Sequence, residues 1–359
     1  MKRSIKILLL IISLFSFCLT ISKTSAEEIK IPVMVGQTGA SASFGKGELD
    51  AYTLAVEEWN AKGGLNGKQI ALDVEDTQTS QQQIVTAFQR IATKKPAVIL
   101  GPTWLDGFQA VIQPARQQQI LLVTPSAAVE AFDPELNDWP VSFYHNSTAE
   151  AAALLKGLEQ RGLKKIGLIY EQEPFAEMLR KLTAQQATSP LSLELGVQGG
   201  ETAFQSIIQK IKAAKLDVLL VYVWNERSLL SLLQQLRVHA SELQLATVHD
   251  GEGWLSNENF KSVLPKLIYS KFIIQDLTFE ERFSRRFGYA PILTASNAYD
   301  AINAVLQALA SGKKTASEIR TFLLTAEHQT ATFGLVKFNK DRRLMSKVSI
   351  VDFSSETKS

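Results

Sequence analysis

The sequence predicts an α/β protein of two Rossmann-like lobes, each built on a parallel sheet with helices on both faces. Three observations lead there. Short apolar, β-rich runs alternate with helix-period segments from residue 29 to about residue 310. The 333 residues that follow an N-terminal leader of 26 suffice for two ordinary domains, each with its own core. The first βα series runs out near Trp139–Ser147 and a new one opens with a helix from Thr148, which places a boundary there.

The leader comes first in the chain. Lys2, Arg3 and Lys6 form a basic start, Ile7 to Ile21 is mostly apolar, and Thr24-Ser25-Ala26 offers small residues for cleavage, the pattern of a secretory signal peptide. An apolar run of roughly 15 residues falls short of the ~20 that a spanning helix needs, the alternative being an uncleaved anchor. The single cysteine, Cys18, lies inside this segment, so the exported chain is expected to carry neither a disulfide nor a thiolate metal site. Phe17 stands where a lipidated cysteine would be preceded by a small residue. The leader holds four basic residues (Lys2, Arg3, Lys6, Lys23) and no acidic one, so its removal takes the formal net charge from +2 to −2. A near-neutral chain without a basic stretch has no electrostatic footprint for nucleic acid or anionic membrane.

Strands are expected at Ile29–Val35, Ile70–Val74, Val98–Leu100 and Ile120–Thr124, and again at Lys165–Tyr170, Leu191–Val197, Val218–Val223 and Gln244–Val248. Between them, Tyr52, Ala55, Val56 and Trp59 fall at the i, i+3, i+4, i+7 spacing of one apolar helical stripe, which Gly63-Gly64 ends. Phe204, Ile207, Ile208 and Ile211 repeat that spacing, as do Leu229, Leu232, Leu233 and Leu236; these stripes are core. The tripeptide Asn146-Ser147-Thr148 fits a glycan acceptor but better opens a helix, with Ser147 or Thr148 as its cap. Beyond Ile268 the pattern gives an apolar run to Gln275, helices at Phe279–Phe287 and Thr294–Ser311, and strand-like runs at Gly334–Phe338 and Lys347–Phe353, without saying which lobe owns them.

Catalytic chemistry finds little support. His145, His239, His249 and His328 are scattered, and none has the i, i+4 spacing with an intervening acid of a helical zinc site, so no metal is expected. There is no nucleophile elbow and no phosphate-cradling loop; Gly45 and Gly47 do not continue into a dinucleotide fingerprint, so no cofactor is expected. Asp250 and Glu252 lie just beyond a strand, where open α/β sheets place ligand groups. They read as a solvated loop or as one acid meeting a ligand cation, ahead of an acid–base pair.

The opening IPVMVGQTGASASFGKGELDAYTLAVEEWNAKGGLNGKQIALDVEDTQT, followed by AVILGPTWLDGFQAVIQPARQQQILLVTPSAA, resembles the periplasmic leucine/branched-chain amino-acid-binding family, receptors of ABC importers. The likeness is most specific over residues 29 to 130. Its strongest marks are Asn60-Ala61-Lys62-Gly63-Gly64 with Asn66-Gly67, then Thr124-Pro125-Ser126. The resemblance implies a type I periplasmic-binding fold: two lobes joined by three crossovers, with the ligand in the cleft between them. It implies residues 27–146 and 276–330 in the first lobe, and 147–275 and 331–359 in the second.

On that resemblance Ser41 to Phe44, Thr103 to Gly107 and Ser126 to Ala128 line the first lobe's side of the cleft. The candidate ligand-binding residues there are Ser41, Phe44, Thr103, Trp104, Leu105, Ser126, Ala127 and Ala128. Phe175, Trp224, Asp250 and Glu252 hold the matching places on the second side, with Asp250 preferred over Glu252 for a ligand cation. In the family's amino-acid receptors a serine and a threonine hold the ligand carboxylate; here Leu105 and Ala128 stand at those places, so Thr103 or Ser126 would have to substitute. Phe44, Phe175 and Trp224 fall where family members often carry tyrosine, and Trp104 adds a ring, which suits apolar or planar ligands. Trp139 and Trp254 fit surface or packing roles.

The expected function is that of an exported solute-binding protein, monomeric and not an enzyme. It would close around an amino acid or an aromatic, amide or carboxylate metabolite and dock on an ABC permease in the inner membrane. The alternatives are a sensor whose closure is read by a membrane kinase or receptor, and an exported α/β hydrolase, which would need a Ser or Asp paired with His249.

Overall fold

The computed structural model describes residues 28–354 except 40–41, 105–106, 129, 131–137, 265 and 273–276. Two parallel sheets organise the chain, and both have the same strand order. The first runs β2-β1-β3-β4-β5, where β1 is Ile29–Val35, β2 Ile70–Asp76, β3 Val98–Leu100, β4 Leu121–Thr124 and β5 Val141–Ser142. The second runs β7-β6-β8-β9-β10, from β6 Ile166–Glu171, β7 Leu193–Val197, β8 Val218–Tyr222, β9 Gln244–Thr247 and β10 Lys266–Phe272. Two short strands, β11 His328–Thr330 and β12 Gly334–Val336, form a ribbon, and β13 Val348–Ser354 closes the second sheet antiparallel to β10.

Alternation along each strand sends successive side chains to opposite faces, which is why both faces carry helices. In the first sheet Val33, Leu100 and Val123 face helices α1 (Ala42–Ala61), α11 (Leu293–Ala310) and α12 (Ala316–Thr325), while Met34, Ile99 and Leu122 face α2 (Gln81–Ala92) and α3 (Phe108–Gln117). In the second, Leu168, Leu220 and Tyr222 face α4 (Ser147–Gln160) and α5 (Pro174–Gln186). Ile169, Leu219 and Val221 face α6 (Gln205–Ala214) and α7 (Glu226–His239). Two short helices, α8 (Gly251–Ser256) and α9 (Glu258–Lys261), follow β9, and α10 (Leu277–Phe287) precedes α11.

The late helices are fastened to α1 by polar links. The Trp59 indole donates to Asn303 Oδ1 at 2.8 Å, and Glu58 accepts from Arg282 at 2.9 Å and from the Tyr299 hydroxyl at 2.5 Å. Trp254 is buried in the second core, and the Trp139 indole donates to the Ile120 carbonyl at 2.8 Å, so both act in packing. At α4 the cap is Asn146 and not Ser147 or Thr148: its side chain accepts from Ala149 N at 3.0 Å, and helical geometry already begins at Ser147.

The chain crosses from the first sheet to the second between β5 and α4, and from β12 to β13 in its last passage. These two connections run side by side, His145 bridging Leu344. Among the described residues no helix is long and apolar enough to cross a membrane; the proposed leader lies outside them.

Candidate functional site

In a sheet of order 2-1-3-4-5 the connections leave the first and third strands in opposite directions, and the loops at their carboxyl ends part to form a crevice. That point lies at the ends of β1 and β3 in one sheet and of β6 and β8 in the other. Each carries a pair of aromatic rings.

At the first switch point the chain leaving β1 is held by Asp76, which accepts from Gln37 N at 2.9 Å, Gln78 N at 2.8 Å and the Thr38 hydroxyl at 2.7 Å. Burial opposes ionisation of Asp76, but these donors hold its carboxyl below the usual range. Helix α1 then presses onto the strand end: a Cβ at Gly45 would lie 2.2 Å from the Gly36 carbonyl oxygen, so packing accounts for this glycine. On the residue before it, the Phe44 ring packs against Trp104 with centroids 4.9 Å apart. Trp104 takes a left-handed backbone, φ 60°, and its N–H donates to Ser126 Oγ at 3.0 Å.

The hydroxyls around this pair are already engaged. Thr103 Oγ1 accepts from Gly36 N at 3.1 Å and donates to Glu48 Oε2 at 2.7 Å. Glu48 is wholly buried, and burial raises its pKa to about 8 against the opposing hydrogen bonds from Thr103 and Ser126. At neutral pH it is a carboxylic acid. Thr124 Oγ1 accepts from Ser126 N and Ala127 N, and Asn297 Nδ2 donates to the Pro125 carbonyl, tying the loop to α11. Ala127 is buried in the core under α2 and α3, and Ala128 joins the second lobe's cluster beside Tyr144 and Phe175. Ser41 and Leu105 lie outside the described residues.

The second switch point is held by two carboxylates. Glu173 caps α5, accepting from Phe175 N at 2.9 Å and Ala176 N at 2.5 Å, and so fixes Phe175 in the first turn. Glu171, at the end of β6, accepts from Trp224 N at 2.9 Å and Asn225 N at 2.8 Å just before α7. The Phe175 and Trp224 rings meet with centroids 5.2 Å apart, and Tyr144 approaches Phe175 at 6.2 Å. Burial, then the charges of Asp250 and Glu150, push the Tyr144 hydroxyl well above its ordinary pKa, so it stays protonated.

Beside Tyr144, in the first crossover, His145, Glu150 and His249 converge. His145 Nε2 lies 2.8 Å from Glu150 Oε2, and His249 Nδ1 lies 3.0 Å from Glu150 Oε1, which also accepts from His249 N at 2.9 Å and Ser270 Oγ at 2.5 Å. Asp250 Oδ1 stands 3.9 Å from His249 Nε2. The Glu252 side chain lies outside the described residues. Ser270 meets the carboxylate and not the imidazole, so this arrangement gives the hydroxyl no base.

A family model described as "Periplasmic binding protein" matches residues 28–358. The chain belongs to the periplasmic binding protein family. The "Leu/Ile/Val-binding protein" of Citrobacter freundii is 21% identical over 218 residues, 57% of this chain and 58% of that relative. That of Escherichia coli strain K12 is 22% identical over 202 residues, 54% of this chain and 53% of its own. The chain thus spans a little over half the length of the curated relatives it matches. Among solved structures, the branched-chain amino acid transporter substrate-binding protein of Streptococcus pneumoniae in complex with isoleucine superposes with TM-score 0.76 at 18% identity, covering 90% of this chain and 95% of that one. A Rhodopseudomonas palustris solute-binding protein in complex with 4-hydroxybenzoate superposes with TM-score 0.78 at 15% identity, covering 90% and 92%. The fold is the type I periplasmic-binding fold that the resemblance implied.

Sequence reasoning missed Glu48, Glu171, Glu173, Tyr144 and the His145–Glu150–His249 group. Glu173 had a readable signal, an acid directly before Pro174 at a helix start. The others depend on partners tens of residues away.

Proposed function

We propose that this is an exported solute-binding protein that closes on a small ligand with a planar or apolar body and delivers it to an ABC permease. The observation that carries the reading is the aromatic pair at each switch point, Phe44 with Trp104 and Phe175 with Trp224, all four rings keeping part of their surface exposed. Such rings stack on a planar group and exclude water from it.

The engaged hydroxyls favour a departure from aliphatic amino acids. Thr103 gives its hydroxyl proton to Glu48 and so does not replace a donor missing at Leu105 or Ala128, while Ser126 Oγ is occupied as the acceptor of Trp104 N. A desolvated carboxylate without donors costs several kcal/mol before compensation. The ligand's acid group is then held by main-chain N–H groups at the strand ends, and its body by the rings. The fold itself does not choose, since isoleucine and 4-hydroxybenzoate each occupy a neighbour of this shape.

A thermal-shift series with the purified protein tests this. Benzoate-type acids and aromatic amino acids are expected to raise the melting temperature, a ligand at 100 times its dissociation constant adding about 2.7 kcal/mol. Leucine, isoleucine and valine are expected to shift it less. A clear shift with the branched-chain amino acids and none with aromatic acids would sink the ligand assignment.

A further inference from the structure

We propose that His145, Glu150 and His249 form a binding site for a divalent transition-metal ion of zinc's kind, set in the hinge where the first crossover meets the second lobe. One ligand atom from each residue lies within 4.8 Å of the others. Four-coordinate zinc with bonds of ~2.0–2.1 Å keeps its ligand atoms about 3.3 Å apart, so the observed 2.8 Å and 3.0 Å approaches need only small relaxation to admit the ion.

The polar accounting points the same way. Glu150 Oε1 accepts from Ser270 Oγ and His249 N, and His249 Nδ1, the ring atom that would turn its lone pair to the ion, lies 3.0 Å from it. Its other oxygen, Oε2, faces His145 Nε2 without hydrogen-bond alignment, and neither ring nitrogen of this fully buried histidine makes an aligned hydrogen bond. Two unsaturated ligand atoms of opposite polarity, buried and pointing at one place, is what a carboxylate–imidazole pair presents to a metal. Ser270 fixes the carboxylate from behind, as outer partners of metal ligands do.

Charge and surroundings fit a dication. Asp250 stands 3.9 Å from His249 Nε2 with its Oδ2 buried and not hydrogen-bonded, so two carboxylates and two imidazoles surround the place, and a divalent ion neutralises them. A water then completes the fourth position, with Asp250 on the side of the far ring nitrogen of His249. The Tyr144 ring, 3.9 Å from His145, and the Phe272 ring, 4.5 Å from it, shield the group from solvent. A bound ion would tie the crossover residue His145 to α4 and to the end of β9, and so stiffen the hinge.

The site is independent of the solute, and its test reads the metal directly. Metal-stripped protein is titrated with Zn2+ against a chromophoric chelator, and with Co2+ while its visible absorption is followed. One Zn2+ per chain and intense four-coordinate Co2+ bands are expected. His249→Gln should weaken Zn2+ binding by more than about 100-fold. Ser270→Ala should weaken it by about 10–100-fold, the range for an outer partner. His145→Gln should match His249→Gln; if that buried variant does not fold, His249→Gln, at a partly exposed position, decides. No stoichiometric Zn2+ uptake, or uptake unchanged in His249→Gln, overturns the proposal.

Discussion

Glu48 gives the fold a pH dependence that one substitution should remove. Its carboxyl is wholly buried, accepts from Thr103 at 2.7 Å and has a second oxygen without a hydrogen-bond partner. Burial raises its pKa to about 8 from an ordinary 4.5. The folded protein therefore keeps the proton across a window in which the unfolded chain has lost it. Between pH 4.5 and 8 the native state binds more protons than the unfolded one, so stability is greatest at the acid end and falls as pH rises through the window. At about 1.4 kcal/mol per pKa unit the whole window is worth roughly 5 kcal/mol, of which about 3 is lost by pH 7.

Glu48→Gln keeps the shape of the group and removes its titration. Urea unfolding of both proteins at pH 5, 6, 7 and 8, with stability taken by linear extrapolation, separates this effect from the intrinsic worth of the amide. The variant is expected to gain on the parent by about 1 kcal/mol per pH unit. Parallel stability profiles over the window would refute the reasoning and mean that Glu48 is ionised or solvated in the native protein.

Three further outcomes follow from the site. Glu171→Ala leaves Trp224 N and Asn225 N without their acceptor and should cost about 1–3 kcal/mol in urea unfolding, with weaker solute binding in calorimetry because Trp224 is no longer fixed. Gly45→Ala drives a Cβ to 2.2 Å from the Gly36 carbonyl, so α1 must shift off β1; the expected loss is at least about 1–3 kcal/mol, read as a melting temperature several degrees lower. Trp224→Ala removes a partly exposed ring packed edge-to-face with Phe175 and should lower solute affinity about 10-fold or more while circular dichroism stays native.

The fold was legible because it rests on local periodicity. Apolar runs such as Val98–Leu100 and Val218–Tyr222 are marked as strands by composition, and the Tyr52–Ala55–Val56–Trp59 stripe fixes a helix face. The two-residue strand Val141–Ser142 escaped, being too short for any period to register, and so did α12. The aromatic places were legible through family resemblance. The fates of Thr103 and Ser126 were not, because they turn on Glu48, which sequence spacing places merely on a helix; its burial follows from how closely α1 approaches β1 over Gly45. The His145–Glu150–His249 group was invisible for a related reason: the last ligand stands 99 residues from the acid, and local spacing rules reach only within one helix or hairpin.

The arrangement also sets a limit on how closure can be driven under the proposed function. Full burial of an aromatic side chain is worth roughly 1.5–3 kcal/mol, and each of the four rings keeps only a minority of its surface exposed, so closing over them gains about 0.5 kcal/mol apiece, about 2 together. Moving a two-state equilibrium from 1:99 to 99:1 takes about 5.5 kcal/mol. The rings alone therefore do not hold the lobes shut. A ligand that bridges them adds its own buried surface and its contacts to both lobes, and these exist only in the closed form. A small planar solute whose body is covered on both faces supplies the missing few kcal/mol, whereas one that touches a single lobe binds without shifting the equilibrium.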